Sequence, residues 1–211
     1  MIGTWQVSYK GAPSNIALLS RAIKPHSVEQ PGVEQVVYYQ AGVGTTPSRV
    51  ERFKGGVFGK GVRENVRDAY LYICLNWSEG DEIYLFGFSR GAYTARALAA
   101  LICEFGLLTK HGVDVWADLY NHYCNNKFTV LEKFKVDFDK ENPRGREADV
   151  KIKFVGVWDT VGSLGVPQLY FLGMNLKPLN WLLEHQRQAR QFGSTELLPK
   201  VEYAFQAYFP C

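Results

Sequence analysis

The sequence predicts an α/β fold built on a doubly wound, mostly parallel β-sheet. Short apolar runs of strand length alternate along the chain with longer segments whose apolar residues recur at helical spacing. This order is typical of parallel strands that are joined by helices. Hydrophobic residues make up 46% of the 211 residues, which is enough for one core, so we predict a single domain over residues 1–211.

Each element is predicted from its own sequence signal. Residues 14–23 carry an apolar stripe at helical spacing, with Ser14 placed to cap the helix and Pro25 after its end. Residues 53–61 contain four glycines and predict a mobile loop near the site, and residues 128–146 are so charged that they predict a solvated excursion. The predicted helices cover residues 14–23, 62–77, 92–102, 113–123, 179–191 and 198–208, and the predicted strands cover residues 33–40, 83–86 and 150–157.

Charge, hydropathy and cysteine spacing argue against several classes of protein. The formal net charge is only +3 and no dense cluster of Lys or Arg occurs, so we expect no nucleic-acid partner. The sequence contains neither a signal-peptide pattern nor an apolar run of roughly 18 residues, so no transmembrane segment is predicted and any membrane contact would be transient and superficial. The four cysteines show no C-x-x-C spacing, so we predict no disulfide framework, no metal site and no cofactor.

The most informative stretch is GFSRG at residues 87–91, which matches the pattern G-x-S-x-G. It directly follows a predicted strand and precedes a predicted helix, so the serine lies on a sharp turn at the carboxyl end of the strand. The two glycines leave room for strand and helix to approach each other. This arrangement predicts Ser89 as a nucleophile, and the alternative is a turn in a phosphate- or nucleotide-binding α/β protein.

A serine nucleophile needs a base and a group that orients the base. Asp159 follows a predicted strand and fits the hydrolase order of Ser, Asp and then His, so we predict it as the acid member of a triad. The alternative for Asp159 is a helix cap or a surface ion pair. His185 is the one histidine after Asp159 and therefore the candidate base, whereas its position inside a predicted helix favours an ordinary helical residue.

The reaction also needs donors for the oxyanion that develops on the substrate. We predict the backbone N–H of Arg90 as one donor, because it follows the nucleophile. Gly3 or Thr4, in the Gly-Thr-Trp stretch at the start of the chain, is predicted to supply the second. Gly42 and Gly44 lie in the stretch GVGT, which predicts either a structural turn or a loop that lines the substrate.

Several stretches together resemble a family of α/β hydrolases that includes type VI secretion phospholipase effectors and many uncharacterised fungal proteins. The resembling stretches are GTW at 3–5, VVYYQAGVGT at 36–45, NVRDAY at 65–70, GDEIYLFGFSRGAYTARALA at 80–99, VGVWDTVGSLG at 155–165 and VEYAFQA at 201–207. The resemblance implies a sheet of α/β-hydrolase type and a Ser-Asp-His hydrolase that acts on esters such as those of lipids. Ser89 and Asp159 fall on the family's nucleophile and acid member.

Two departures from the family pattern lead us to expect a fragment of a longer hydrolase. The family has an apolar strand and an Asp ahead of Gly-Thr-Trp, where this chain has only Met1 and Ile2. The family also continues past the stretch at 201–207 to a strand and a glycine-rich loop that carries the catalytic histidine. We therefore expect an incomplete α/β-hydrolase sheet without these two segments, and the alternative function is an inactive remnant or a binding module.

Overall fold

A computed structural model of the chain describes residues 15–40, 57–88, 90–125, 128–158 and 198–207. Within these ranges the helices are α1 (Asn15–Ala22), α2 (Val57–Asn76), α3 (Arg90–Phe105), α4 (Trp116–Asn125) and α5 (Phe128–Glu141). The strands are β1 (Ile83–Phe88), β2 (Leu107–Leu108), β3 (Arg146–Glu147), β4 (Ile152–Trp158) and β5 (Val201–Ala207), and a 3-10 turn covers Val113–Val115.

The main sheet contains three parallel strands among the described residues, in the order β1–β4–β5. Parallel neighbours require a crossover connection, and the crossover from β1 to β4 contains α3, α4 and α5. The short strands β2 and β3 pair antiparallel as a separate ribbon within this crossover. The predicted mixed α/β class with a mostly parallel sheet is therefore confirmed.

The core lies between this sheet and α3, which contacts both β1 and β4. Ala and Leu dominate the sequence of α3, and both residues favour helix formation. Leu85 on β1 and Val155 and Val157 on β4 are buried in the same cluster as Leu101 and Phe105 of α3. This packing fixes α3 against the sheet and thereby fixes where its first residue lies.

The far end of α3 is held by a buried tyrosine of α2. The Tyr70 hydroxyl donates a hydrogen bond to the carbonyl oxygen of Gly106 at 3.0 Å and accepts one from the backbone N–H of Leu108 at 3.2 Å. Its ring stacks on Trp116, with the ring centroids 4.4 Å apart. Tyr70 thus joins α2, the end of α3, β2 and α4.

Tyr70→Phe is expected to lower the free energy of unfolding by about 1–2 kcal/mol, because two buried main-chain groups lose their hydrogen-bond partner while the ring packing stays. Urea unfolding of wild type and variant measures this difference. Tyr72→Phe on the same helix is the matched control, because its ring also stacks on a neighbour, Tyr38. Equal losses in the two variants would contradict the role of the Tyr70 hydroxyl.

The amino end of the main sheet is held by ion pairs on Lys153. This residue is the extra one in β4, because Ile83 pairs with Ile152 whereas Tyr84 pairs with Phe154. Its ammonium lies 2.8 Å from a carboxylate oxygen of Glu202 on β5 and 3.3 Å from one of Glu82 beside β1. The hydrogen bonds to these two carboxylates raise the pKa of Lys153. All three strands are therefore connected at this end.

The prediction of a strand over residues 33–40 is wrong. The backbone N–H of Ser27 donates to the carbonyl oxygen of Val33 at 2.9 Å, and that of Gln35 donates to Pro25 at 2.7 Å. These bonds fold the first half of the segment back on the residues after α1, with a bridge between His26 and Glu34. Val33 and Gln35 therefore form their main-chain hydrogen bonds with residues 25–30 and not with a sheet.

The prediction of a helix over residues 198–208 is also wrong, because residues 201–207 form β5. Val201, Tyr203 and Phe205 alternate with Glu202 and Gln206, which is the period of a strand and not of a helix. The strand is confirmed by its register with β4, since Ile152 pairs with Val201 and Trp158 pairs with Ala207.

Two predicted irregular segments contain helix. Residues 57–61, predicted as part of a glycine-rich loop, form the first turns of α2 despite Gly59 and Gly61. Within the predicted excursion at 128–146, α5 covers Phe128–Glu141 and buries Phe138 in the core, with Phe134 packed against it. Because α5 also contains many charged residues, its sequence did not predict that Phe138 packs in the core.

The other predicted elements within the described residues are confirmed. They are the helices near residues 14–23, 62–77, 92–102 and 113–123 and the strands near residues 83–86 and 150–157. Residues 179–191, predicted as a helix, lie outside the described residues, as does Ser14. Among the helices that the structure describes, none has the length and apolar character needed to cross a membrane.

Candidate active site

The strand and helix that flank Ser89 are separated by one residue. β1 ends at Phe88 and α3 begins at Arg90, whereas Ser89 itself lies outside the described residues. A Cβ on Gly87 would lie 2.3 Å from the carbonyl oxygen of Gly91 and 2.7 Å from Cα of Ala92. The first turn of α3 therefore lies directly on the last residues of β1, and this close approach requires glycine at position 87.

The register of the sheet brings together, at one edge, the residues that precede the two predicted catalytic positions. Phe88 and Trp158 are paired as the last residues of the neighbouring parallel strands β1 and β4. Ser89 and Asp159 are the next residues in the sequence, and Asp159 also lies outside the described residues. The carboxyl ends of parallel strands are where α/β proteins place ligands and catalytic groups.

Arg90 is the first residue of α3, so its backbone N–H belongs to the first turn of the helix. The N–H groups of a first turn have no partner within the helix, and the helix dipole adds partial positive charge at this end. Such an end favours a developing oxyanion. Burial raises the pKa of Tyr93, three residues further along, and Arg63 partly opposes this shift.

The remaining predicted site residues lie outside the described part of the chain. They are Gly3, Thr4, Gly42, Gly44 and His185. The structure therefore brings together the two strand ends and the start of α3, and the catalytic roles of all the site residues stay predictions. Among the described residues, no group of three His, Cys, Asp or Glu side chains is arranged to hold a metal ion.

The sheet face opposite α3 is aromatic, a feature that sequence reasoning missed. Six aromatic side chains form what we call the aromatic face. The Phe154 ring centroid lies 5.3 Å from that of Phe86 and 5.5 Å from that of Phe205, and the rings of Phe86 and Phe154 cover Gly156. The members of the aromatic face are Tyr84, Phe86, Phe154, Trp158, Tyr203 and Phe205.

The aromatic face extends to the edge that holds the candidate site. Trp158, the last residue of β4, is half-buried, and its ring centroid lies 6.4 Å from that of Phe86. Towards the other end, Tyr203 is 56% exposed and Phe205 is 65% exposed. The signal in the sequence is an aromatic residue at every second position of β1 and β5, and these residues form one face only once both strands are aligned with β4.

The two described free cysteines are not activated thiols. Burial is the main reason that the pKa of Cys74 rises to about 12, and burial also raises the pKa of Cys103. Since the thiolate is the reactive form, both side chains are expected to be inert in the folded protein. Cys74 on α2 belongs to the buried core, and Cys103 on α3 packs against it.

At pH 8.5 the Cys74 thiol is expected to react with a maleimide at least about 100-fold more slowly in the folded protein than in urea. The sign follows from the pKa of the thiol, because the unfolded thiol ionises near its ordinary pKa of 9.0 while the folded one stays protonated up to about 12. Peptide mass mapping after timed labelling measures each cysteine separately. Fast labelling of Cys74 without unfolding would contradict its burial.

The described residues thus define an α/β protein in which a one-residue turn joins a parallel strand to a helix at the carboxyl edge of the sheet. Over residues 2–208 the chain matches the family described as "T6SS, Phospholipase effector Tle1-like, catalytic domain". The chain belongs to this family, as its motifs predicted.

A curated relative also matches the chain. It is uncharacterized protein YEL023C of Saccharomyces cerevisiae (strain ATCC 204508 / S288c), which is 31% identical over 157 residues. The match covers 63% of this chain and 22% of the yeast protein, so the chain spans only about a fifth of the length of that relative. No solved structure matches the chain.

Proposed function

We propose that the chain is a serine hydrolase domain in which Ser89 is the nucleophile, and that it cleaves carboxylic esters of lipids. One observation carries the proposal: β1 passes to α3 through the single residue Ser89, with Gly87 packed against the backbone of Gly91. The tight turn presents a side chain at the carboxyl edge of a sheet beside a helix N-terminus. The family, whose description names phospholipase effectors, supports a lipid ester as the substrate.

In the proposed mechanism the Ser89 hydroxyl oxygen attacks the ester carbonyl carbon while a histidine takes the hydroxyl proton. The N–H of Arg90 and a donor at Gly3 or Thr4 hold the negative charge that forms on the carbonyl oxygen. The histidine then gives its proton to the leaving alcohol as the ester C–O bond breaks, which leaves an acyl group on Ser89. Water, deprotonated by the same histidine, releases the acid.

Asp159 is proposed to orient that histidine and to stabilise its protonated form. The pairing of Phe88 with Trp158 supports this role, because Ser89 and Asp159 directly follow these two residues in the sequence. His185 is the proposed base by chain order within these 211 residues. The alternative function applies if His185 does not act as base. In that case the chain retains the hydrolase fold but does not catalyse the reaction.

A fluorophosphonate probe tests the proposal, because it reacts covalently only with an activated serine. We expect the 211-residue chain to be labelled and Ser89→Ala to lose at least about 99% of the label, since the nucleophile is gone. Ser78→Ala, in the turn before β1, is the matched control and should keep the label.

The same experiment separates the two functions. A folded chain that takes up no label would favour the non-catalytic alternative. Labelling that survives in Ser89→Ala would show that another residue is the nucleophile. His185→Ala then tests the base, and undiminished labelling in that variant would exclude His185 from the role.

A further inference from the structure

Two polar atoms just ahead of the stretch GVGT are buried without a hydrogen-bond partner. They are the hydroxyl of Tyr39 and the amide oxygen of Gln40, and no described residue bonds to either of them. Asn65 on α2 is only 9% exposed, and its amide likewise forms no hydrogen bond with another described residue. Buried polar groups are nearly always bonded, because an unmet one loses its hydration without compensation. These three side chains therefore have hydrogen-bonding capacity that the described part of the protein does not use.

The three side chains lie around one contact between α2 and the residues before GVGT. The ring of Tyr38 stacks on that of Tyr72, with the ring centroids 4.5 Å apart. Burial is the main reason that the pKa of Tyr38 is raised, and Asp68 raises it further, so the phenol lies near that carboxylate. The two unpartnered atoms belong to the residues that directly follow Tyr38, and Asn65 lies about one helical turn before Asp68. The unused groups therefore share one neighbourhood.

This neighbourhood lies towards the end of α2 that is nearest to the candidate active site. Burial raises the pKa of Tyr93 in the first turn of α3, and Arg63 of α2 lies near enough to oppose this shift. Further along α2, Tyr70 bonds to Gly106 at the other end of α3. The two helices therefore run in the same direction. Asn65 lies between these two contacts and closer to the first, so it lies beside the early turns of α3.

The chemistry of the three groups favours a ligand with hydroxyl groups. The Asn65 amide and the Tyr39 hydroxyl can each donate and accept a hydrogen bond, and the unpartnered atom of Gln40 accepts one. An anion such as phosphate only accepts, so it could not bond to the Gln40 oxygen, and Asp68 beside Tyr38 would repel it. A hydroxyl group donates one hydrogen bond, accepts others and carries no charge. A polyol therefore satisfies all three groups.

We propose that Tyr39, Gln40 and Asn65 form a polyol site that binds free hydroxyl groups in the alcohol part of the ester substrate. This inference rests on the proposed hydrolase function and adds to it the residues that recognise the alcohol. Groups without a partner in the free protein gain a full hydrogen bond when such a ligand binds. A glycerol ester with free hydroxyl groups is a ligand of this kind.

Binding of two octanoic esters to the Ser89→Ala chain tests the polyol site without any need for catalysis. Monooctanoylglycerol carries two free hydroxyl groups, whereas methyl octanoate has the same acyl ester and none. Calorimetric titration is expected to show about tenfold tighter binding of monooctanoylglycerol, because it forms additional hydrogen bonds with buried groups. Adding Asn65→Leu or Tyr39→Phe should remove most of this preference and leave binding of methyl octanoate unchanged.

Asn76→Leu is the matched control, because it makes the same substitution at the far end of α2. The Asn76 amide already donates a hydrogen bond to the carbonyl oxygen of Tyr72 at 2.8 Å. This variant should therefore keep the preference for monooctanoylglycerol. Equal affinity for the two esters, no binding of monooctanoylglycerol, or a preference that neither Asn65→Leu nor Tyr39→Phe reduces would overturn the proposal.

Urea unfolding of the same variants tests whether the polar groups are unused. Asn65→Leu and Tyr39→Phe should unfold at the same urea concentration as the parent chain or at a higher one, because neither substitution removes a hydrogen bond within the protein. Unfolding of both variants at lower urea concentrations would show that other parts of the chain bond to these side chains. That result would also overturn the proposal.

The outcome is independent of the fluorophosphonate result. A preference for monooctanoylglycerol that depends on Asn65, where the wild-type chain takes no label, would retain the polyol site and reject catalysis by this polypeptide. Labelling of Ser89 together with equal affinity for the two esters would retain the hydrolase and reject the polyol site.

Discussion

Gly87→Ala is expected to lower the free energy of unfolding by about 3 kcal/mol, because the added methyl group would overlap backbone atoms that cannot rotate away. The carbonyl oxygen of Gly91 lies 2.3 Å from the new Cβ position and Cα of Ala92 lies 2.7 Å from it. The start of α3 must therefore move away from β1. Since Ser89 joins these two elements, fluorophosphonate labelling is also expected to slow roughly 100-fold.

Urea unfolding and the labelling rate measure the two effects in the same preparation. Gly106→Ala is the comparison variant, because it disturbs the opposite end of α3 and should leave the labelling rate of the folded fraction near that of wild type. A Gly87→Ala chain that is as stable as wild type and labels as fast would show that α3 does not lie on β1 as described.

Gly106→Ala is expected to cost about 4 kcal/mol of folding free energy, the largest stability effect that we predict. Gly106 follows α3 with φ of 86°, a conformation that residues with a Cβ rarely adopt. An added Cβ would also lie 2.0 Å from the carbonyl oxygen of Glu147. Backbone strain and steric overlap therefore act together, at the carbonyl that accepts the Tyr70 hydrogen bond.

Gly80→Ala separates these two contributions. Gly80 has a similar φ of 97°, but no atom lies within 4 Å of its added Cβ. We expect a loss of only about 1–2 kcal/mol there, which is the cost of the left-handed conformation alone. Thermal or urea unfolding of the two variants measures the difference in the free energy of unfolding. Equal losses would mean that the Glu147 backbone moves away from the added methyl group without loss of stability.

The strand and helix on either side of Ser89 could be predicted because their sequence signals agree with one another. The apolar run of β1, the glycines around Ser89 and the helix formers of α3 indicate the same structure. β5 could not be predicted in this way. Its seven residues alternate as in a strand, but so short a run resembles the end of a helix, and the pairing with β4 that confirms the strand is not visible in either segment alone.

The candidate site shows the same division. The sequence predicted that Ser89 and Asp159 both follow parallel strands. It did not show that these two strands are neighbours, which is known only from the pairing of Phe88 with Trp158. The aromatic face was missed because alternating aromatic residues in a single strand resemble ordinary core. The assignments of His185, Gly3 and Thr4 depend on contacts far apart in sequence and stay predictions.

The extra residue in β4 explains how two residues three positions apart can face the same core. Side chains of a regular strand alternate between its faces, so Ile152 and Val155 are both buried in the core only because Lys153 adds one residue between them. Deletion of Lys153 would let β4 pair with β1 without interruption, keep Phe154 opposite Tyr84, and move the irregularity to β5, where Glu202 would become the extra residue. Members of the family that lack this residue are therefore expected to keep both faces of the strand and to lack the two acidic partners of the lysine.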